Sequence, residues 1–348
     1  MIMLRKDVEF KTSFTVSQKP YRAKLDQNES PYDLPEEVKS YLMERVREVA
    51  WNRYPQPLTY SEVKERFAGE IGVEPERVAL TFGGDQTILS AFLVAGGPGR
   101  RAVIFEPTYP MFRHYAVATG TEADVVVLGE DYRPDPSHFK GKGYHLINFV
   151  SPNNPTGNLV DTEVVREALE TGALVFVDEA YYPFARVSVW DDLKDYPNLM
   201  VGRSLSKSML AGMRMGYVLS SPEVIGAVEH MNFAPYNLTH VHLVLFREYS
   251  VIKPHLTRGA DTVISERERI TSFLRDVGLN PFPSWANFVM FRTDRHREMY
   301  EFLADYGVRI RDVSGLPGLS DHLRVTVGRP EENDLFMAGV KEFLGPGE

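Results

Sequence analysis

From about residue 78 the chain alternates between short apolar runs and amphipathic or turn-rich segments. The runs "RVAL", "RAVIFEP", "ADVVVL", "YHLINFV", "ALVFVDE", "NLMVGRS" and "MGYVLSS" are too short for typical helices and rich in branched residues, so each predicts a strand. Between two of them, "DTEVVREALETG" predicts a crossover helix. Asp161 or Thr162 would cap it, Val165, Ala168 and Leu169 would face the core, and Gly172 would stop it. Strands that alternate with helices in this way imply an α/β domain with a mainly parallel sheet.

After about residue 242 the texture changes. A long charged helix, "TRGADTVISERERITSFLRDVG", precedes the short strands "ANFVMFR", "VRIRD" and "HLRVTVG", with helices between and after them. The first 30 residues show little periodicity and include Pro20 and Tyr21. The expected organisation is therefore an arm over residues 1–30 that packs with the smaller unit, a large domain over 31–242 and a smaller α+β domain over 243–348. No internal repeat or low-complexity tract interrupts it.

Composition narrows the function. Of 348 residues, 43% are hydrophobic and 25% charged, the balance of a globular chain with ample core. Lys and Arg number 39 against 48 Asp and Glu, a net charge of −9, which disfavours nucleic acid as a partner. The chain has no cysteine, so disulfides, thiolate metal sites and cysteine nucleophiles are excluded, and no metal is expected. Charges at Arg5, Lys6, Asp7 and Glu9 break up any signal-peptide core, and no apolar run reaches the about 18 residues of a membrane span. The expected location is the cytoplasm.

Candidate chemistry gathers where predicted strands end, the edge of an open α/β sheet at which ligands bind. "YHLINFV" runs into "SPNNPTG" with Asn154, "ALVFVDEAYYPF" into Asp178 and Tyr181, and "NLMVGRSLSK" into Ser204, Ser206 and Lys207. Each alone is an ordinary turn or surface signal; together, in order, they converge on one edge. "TFGGDQTI" places Gly84, Asp85 and Gln86 at a helix start, where free N–H groups and the helix dipole suit an anion. Arg214 is suited to bidentate phosphate contact, and Tyr109 of "FEPTYPMF" offers an aromatic platform. A phosphate cradle, a lysine able to form a Schiff base, an acid to face a ring nitrogen and a flat platform describe a site for pyridoxal phosphate.

With those residues assembled, the chain resembles the fold type I aminotransferases, and within them the histidinol-phosphate aminotransferases. The resemblance runs from "LDQNESPYDLP" through "RYPQP", "GGDQ", "PTYPMF", "SPNNPTG", "VDEAYYPF" and "RSLSK" to "VRIRD" and "LRVTVG". It implies a seven-stranded, mainly parallel sheet in the large domain and a pyridoxal-phosphate-dependent transamination, most like that of histidinol phosphate with 2-oxoglutarate to give imidazole acetol phosphate and L-glutamate. By the same resemblance Lys207 would bind the cofactor covalently and then move protons, Asp178 would pair with the pyridine nitrogen, and Asn154 and Tyr181 would hydrogen-bond the ring oxygen. Tyr109 would stack on the ring. Ser204, Ser206, Arg214 and the backbone of Gly84, Asp85 and Gln86 would hold the phosphate. Tyr54 would reach the phosphate of a neighbouring subunit, implying a homodimer with shared sites. Arg324, Arg311, Asn28 and Tyr21 would bind substrate.

The chain departs from the family pattern at Gln86, where Glu is usual, at Gly84, where Ser or Ala is usual, and in a Lys207 to Arg214 spacing of seven (214 minus 207) instead of eight. Tyr21 also stands closer to "LDQNES" than usual. Aromatic amino-acid aminotransferases and threonine-phosphate decarboxylases share the same cofactor residues and remain alternatives. From another class stands a non-catalytic cofactor-binding module of the kind fused to DNA-binding regulators, which the acidic net charge disfavours.

Overall fold

A computed structural model of the chain describes residues 20–345; the N-terminal part of the expected arm lies outside the described residues. A short strand, β1 (Ala23–Lys24), precedes seven strands that form one sheet: β2 (Val78–Phe82), β3 (Arg101–Glu106), β4 (Glu122–Val127), β5 (Leu146–Val150), β6 (Leu174–Asp178), β7 (Leu199–Ser204) and β8 (Met215–Ser220). Their order is β2-β8-β7-β6-β5-β3-β4. Pairs within β7-β6-β5-β3-β4 are parallel, and β8 alone runs antiparallel to both its neighbours. The mainly parallel seven-stranded sheet expected of fold type I is thus present.

Alternate residues of these strands feed two cores. Val78, Leu80, Ile147, Phe149, Val175, Val177 and Val201 pack on one face, and Ala79, Leu146, Phe176, Met200 and Val218 on the other. A sheet covered on both faces has no need of polar alternation, which is why its strands read as continuous apolar runs. Helix Gly83–Ala95 lies on the second face, its Ile88, Ala91 and Phe92 fully buried. It can approach β7 because Gly202 has no side chain: a Cβ there would stand 2.6 Å from Thr87 Oγ1 and 2.7 Å from Phe176 Cζ. The crossover helix spans Thr162–Leu169, and Asp161 caps it by accepting a hydrogen bond from the Glu163 N–H.

The second sheet is antiparallel, in the order β12-β13-β10-β9, built from β9 (Asn280–Pro281), β10 (Phe288–Arg292), β12 (Arg311–Asp312) and β13 (His322–Thr326). The predicted strand "VRIRD" is two pieces. Val308–Arg309, β11, pairs in parallel with β1, and Arg311–Asp312 joins β13. Residues 22–25 are thereby hydrogen-bonded to the segment 307–309.

The predicted charged helix begins earlier than its charge pattern suggests, at Tyr249, and runs to Asp276 with Pro254 inside. Its first turns are apolar because Tyr249, Ile252 and Leu256 belong to the core of the large sheet. Ala260, Val263, Ile270 and Leu274 belong to the core of the second sheet. Charge becomes dense only in the part of the helix that leaves the first core. No helix among the described residues is long and apolar enough to cross a membrane.

Candidate active site

A cavity of about 600 Å³ opens at the carboxyl ends of β5, β6 and β7 and is closed from the other side by β12, β13 and residues 26–28. Asn154, Asp178, Tyr181, Ser204, Ser206, Lys207, Arg214, Gly84, Asp85, Tyr109, Asn28, Arg311 and Arg324 all line it. Elements far apart in the chain supply them because parallel strands deliver their C-terminal ends to the same edge.

The ε-amine of Lys207 lies 3.4 Å from the Gln27 carbonyl. Burial pushes its pKa down to about 8, and the Arg324 guanidinium adds to that shift. Asp178 is the acidic counterpart. Its Oδ1 accepts a hydrogen bond from the Ala180 N–H at 2.9 Å, and burial raises its carboxyl to about 7. A buried amine and a buried acid, both moved toward neutrality, are the pattern of a site built for proton transfer.

The anion cradle forms at the start of helix Gly83–Ala95. A Cβ on Gly84 would lie 3.1 Å from Ser204 Cβ, so the residue usual in the family would crowd β7 here. Arg214 donates to Asp85 Oδ2 at 2.8 Å and to Ser206 Oγ at 3.2 Å. The one-residue shorter spacing is absorbed by an unusual turn. The segment Ser206–Leu210 is kinked, with Ser208 and Met209 leaving helical geometry; Met209 takes φ 71° and Arg214 φ 51°, which swings the guanidinium back to the helix start. Gln86 turns its side chain away, its Oε1 accepting from the Phe82 N–H at 2.6 Å, so only its backbone is available to an anion.

Tyr109 donates its hydroxyl to Asp85 Oδ1 at 3.1 Å. Tyr181 is buried, raised to about 12 by that burial, and accepts a hydrogen bond from Asn28 Nδ2 at 2.9 Å. Asn28 itself is fixed by Thr326 and Asn287, so it acts on the cavity through Tyr181 as well as directly.

At the substrate end Arg311 and Arg324 stand opposite each other in the β12–β13 register. Arg324 is 7% exposed, donates to Asn154 Oδ1 and to the Asp26 carbonyl, and its Nε has no partner. Burial lowers it to about 10, still a cation at neutral pH. Two expected residues lie elsewhere. Tyr21 is outside the lining, its ring 5.7 Å from the Arg309 guanidinium carbon. Tyr54 is 77% exposed and packs edge-on to Tyr236, away from the cavity of its own chain. The sequence reading missed Asp26 and Gln27, which also line the cavity although they sit beside Asn28 within "LDQNESPYDLP", and Tyr115 and Leu316, whose neighbourhoods carry no motif.

The donor set fits pyridoxal phosphate: free amides and a guanidinium for phosphate, a buried carboxyl for a ring nitrogen, and a deprotonatable lysine between them.

Comparison with known proteins gives one consistent result. The model of the family "Aminotransferase class I and II" matches residues 23–339. A histidinol-phosphate aminotransferase of Thermococcus gammatolerans is 37% identical over 335 residues, covering 95% of each chain. Histidinol-phosphate aminotransferase 1 of Carboxydothermus hydrogenoformans is 35% identical over 331 residues, covering 93% of each. Among solved structures, the histidinol-phosphate aminotransferase of Sinorhizobium meliloti in complex with pyridoxal-5'-phosphate is similar with a TM-score of 0.81 at 25% identity, covering 94% of this chain and 92% of that one.

Proposed function

The chain belongs to the class I and II aminotransferase family, a family of pyridoxal-phosphate-dependent enzymes, and we propose that it exchanges an amino group between histidinol phosphate and 2-oxoglutarate, a step of histidine biosynthesis. The observation that carries the reading is the convergence of Lys207, Asp178, Asn154 and Arg324 on one cavity beside an anion cradle.

When bound, pyridoxal phosphate supplies an electron sink for the pair left behind as a proton leaves the substrate α-carbon. The chain supplies the rest. Lys207 is the covalent anchor and, with its amine neutral above about pH 8, the group that takes and returns that proton at Nζ. Asp178 holds the ring nitrogen, and its shift to about 7 reverses once a cation faces it. Asn154 and Tyr181 hold the ring oxygen, Tyr109 covers the ring, and Gly84, Asp85, Gln86, Ser204, Ser206 and Arg214 hold the phosphate. Arg324, with Arg311 across the strand pair, binds the carboxylate of glutamate or the phosphate of histidinol phosphate.

The same reading makes the enzyme a homodimer. Tyr54, Phe233 and Tyr236 form a contiguous exposed aromatic patch, and Trp51, Leu58 and Phe82 are exposed as well. Phe82 adjoins the cradle, so a second copy seated there brings its Tyr54 within reach of the phosphate. Residues 31–242 are the cofactor-binding domain in this reading, 243–348 the smaller domain, and the cytoplasm the place of action.

The test is a half-reaction. Protein loaded with pyridoxal phosphate is mixed with L-histidinol phosphate without keto acid, and the cofactor spectrum is followed. Conversion from the aldehyde to the amine form is expected. Loaded protein that converts with an aromatic amino acid but not with histidinol phosphate would sink the substrate assignment.

A further inference from the structure

A second cavity, of about 360 Å³, lies behind the lysine-bearing turn, on the opposite side of the segment Ser204–Ser208. Ser204 borders both cavities; Ser206 and Lys207 face the first, Leu205 and Ser208 the second. Its size is that of a small-molecule site, in which an apolar lining with a few placed polar groups is the usual construction.

Its far wall is the long helix at the point where that helix passes from one core to the other. Leu256 belongs to the core of the large sheet and Ala260 to that of the second sheet, and both line the cavity. The rings of Tyr182, Tyr217 and Tyr249 supply aromatic surface.

Charge distinguishes this cavity from a packing gap. Three cations, Arg186, Arg203 and Lys253, line it with a single carboxylate, Glu179; Arg186 is paired with Asp261, which is not in the lining, and Arg203 with Glu179, so the local excess is the charge of Lys253. Arg203 is buried, stacks on the Tyr182 ring at 3.6 Å, and holds Glu179 at 3.1 Å and Ser188 Oγ at 2.8 Å. Lys253, at the mouth, donates to the Glu70 carbonyl and not to a carboxylate. Ser208 is 4% exposed, and its Oγ meets no hydrogen-bond partner. A buried hydroxyl without a partner is costly unless something meets it, and the exposed Lys253 ammonium at the mouth has no carboxylate of this chain against it.

We propose that this cavity is a second binding site, distinct from the reaction site, for a small organic acid: one carboxylate carried on an aromatic or short apolar body. The body lies against Tyr249 and Leu256, and the carboxylate meets Lys253. The inference does not rest on the substrate proposed above, since none of the substrate residues lines this cavity.

The test uses the cofactor-loaded protein and 3-phenylpropionate as probe, with binding followed by calorimetry and by saturation-transfer NMR. Saturable binding is expected. Thr257→Trp, which fills the mouth from an exposed helix position, and Lys253→Glu, which removes the local positive excess, should each weaken it by at least about tenfold while turnover without probe stays at the wild-type rate. Arg324→Ala, which alters only the reaction cavity, should leave the affinity unchanged, and neutral 3-phenylpropionamide should bind at least about tenfold more weakly. Undiminished binding by the Thr257→Trp and Lys253→Glu proteins overturns the proposal, as does loss of binding in Arg324→Ala. Equal affinity for the amide, or no saturable binding up to about 5 mM, overturns it as well.

Discussion

Arg214 Nη2 is held 2.8 Å from Asp85 Oδ2 across 129 residues of chain, at the first turn of helix Gly83–Ala95. The pair fixes a cation at a helix start that faces the cavity, and Asp85 also receives the Tyr109 hydroxyl. Arg214→Ala would remove the proposed charge-assisted phosphate contact and leave Asp85 without its cation. Pyridoxal phosphate should then be released more readily, by about 1.5–3 kcal/mol or roughly 10- to 150-fold in Kd, which equilibrium dialysis reads directly. Unchanged retention would remove Arg214 from the cradle.

Lys207 should show its lowered pKa in its reactivity. Burial disfavours the ammonium form, and Arg324 reinforces this, so the amine is neutral above about pH 8 instead of only above its ordinary value. In cofactor-free protein, labelling of Lys207 by cyanate should fall about tenfold for each pH unit below 8 and level off above it, as mass spectrometry of the labelled peptide can follow. A profile still rising steeply between pH 9 and pH 10 would contradict the shift.

Replacing that lysine separates binding from turnover. Lys207→Ala should lower kcat by at least about 10³-fold, since the proposed covalent anchor and proton carrier would disappear together. Near-normal steady-state turnover in the variant would end the assignment.

Asp178 makes a trade between stability and activity. Its folded pKa of about 7 lies above the unfolded value of 3.8, so between those limits the folded chain holds a proton that the unfolded chain has released. Stability of the cofactor-free protein therefore falls as pH rises through that window. Asp178→Asn keeps an oxygen for the Ala180 N–H and abolishes the penalty. Its Tm should exceed that of the wild type by roughly 2 to 4 °C at pH 8 and match it near pH 4, with turnover lost at both. A variant less stable than wild type at pH 8 would show that the buried carboxylate is compensated.

Arg324→Ala should raise KM for glutamate and for histidinol phosphate alike, by roughly 10- to 150-fold, because in the proposed site the two would bind the same buried guanidinium through different anions. Steady-state kinetics with each substrate decide it: an effect on one alone would assign Arg324 to that half-reaction.

Much of this architecture was readable in the chain. Asn154, Asp178 and Lys207 each follow an apolar run, and a run buried on both faces is the clearest strand signal there is. Arg311 and Arg324 were expected on adjacent strands and are directly opposed. What escaped depends on partners distant in sequence. The split of "VRIRD" is decided by β1, nearly 300 residues earlier, taking Val308–Arg309 away from the β13 edge. The start of the long helix was masked because its first turns are apolar for reasons of packing. The route of Arg214 depends on left-handed backbone at Met209, a residue type that gives no hint of it. Gln86 was expected to serve the cradle through its backbone, and nothing in the sequence showed that its side chain would accept a hydrogen bond from the Phe82 N–H at its own helix start.

The order in which the site is assembled along the chain has a consequence during synthesis. Every strand of the large sheet is complete at Ser220, and the proposed cofactor groups end at Arg214, whereas Arg324 lies 110 residues later (324 minus 214). At a translation rate of about 5–20 residues per second that interval lasts from about 5 to about 20 seconds, long compared with the folding of most domains. A ribosome-bound chain would then hold its own share of the cradle while its substrate cation is still unmade. Loading with pyridoxal phosphate can precede birth of the complete enzyme, and the nascent chain would acquire its reactive group before it acquires the means to choose what reacts.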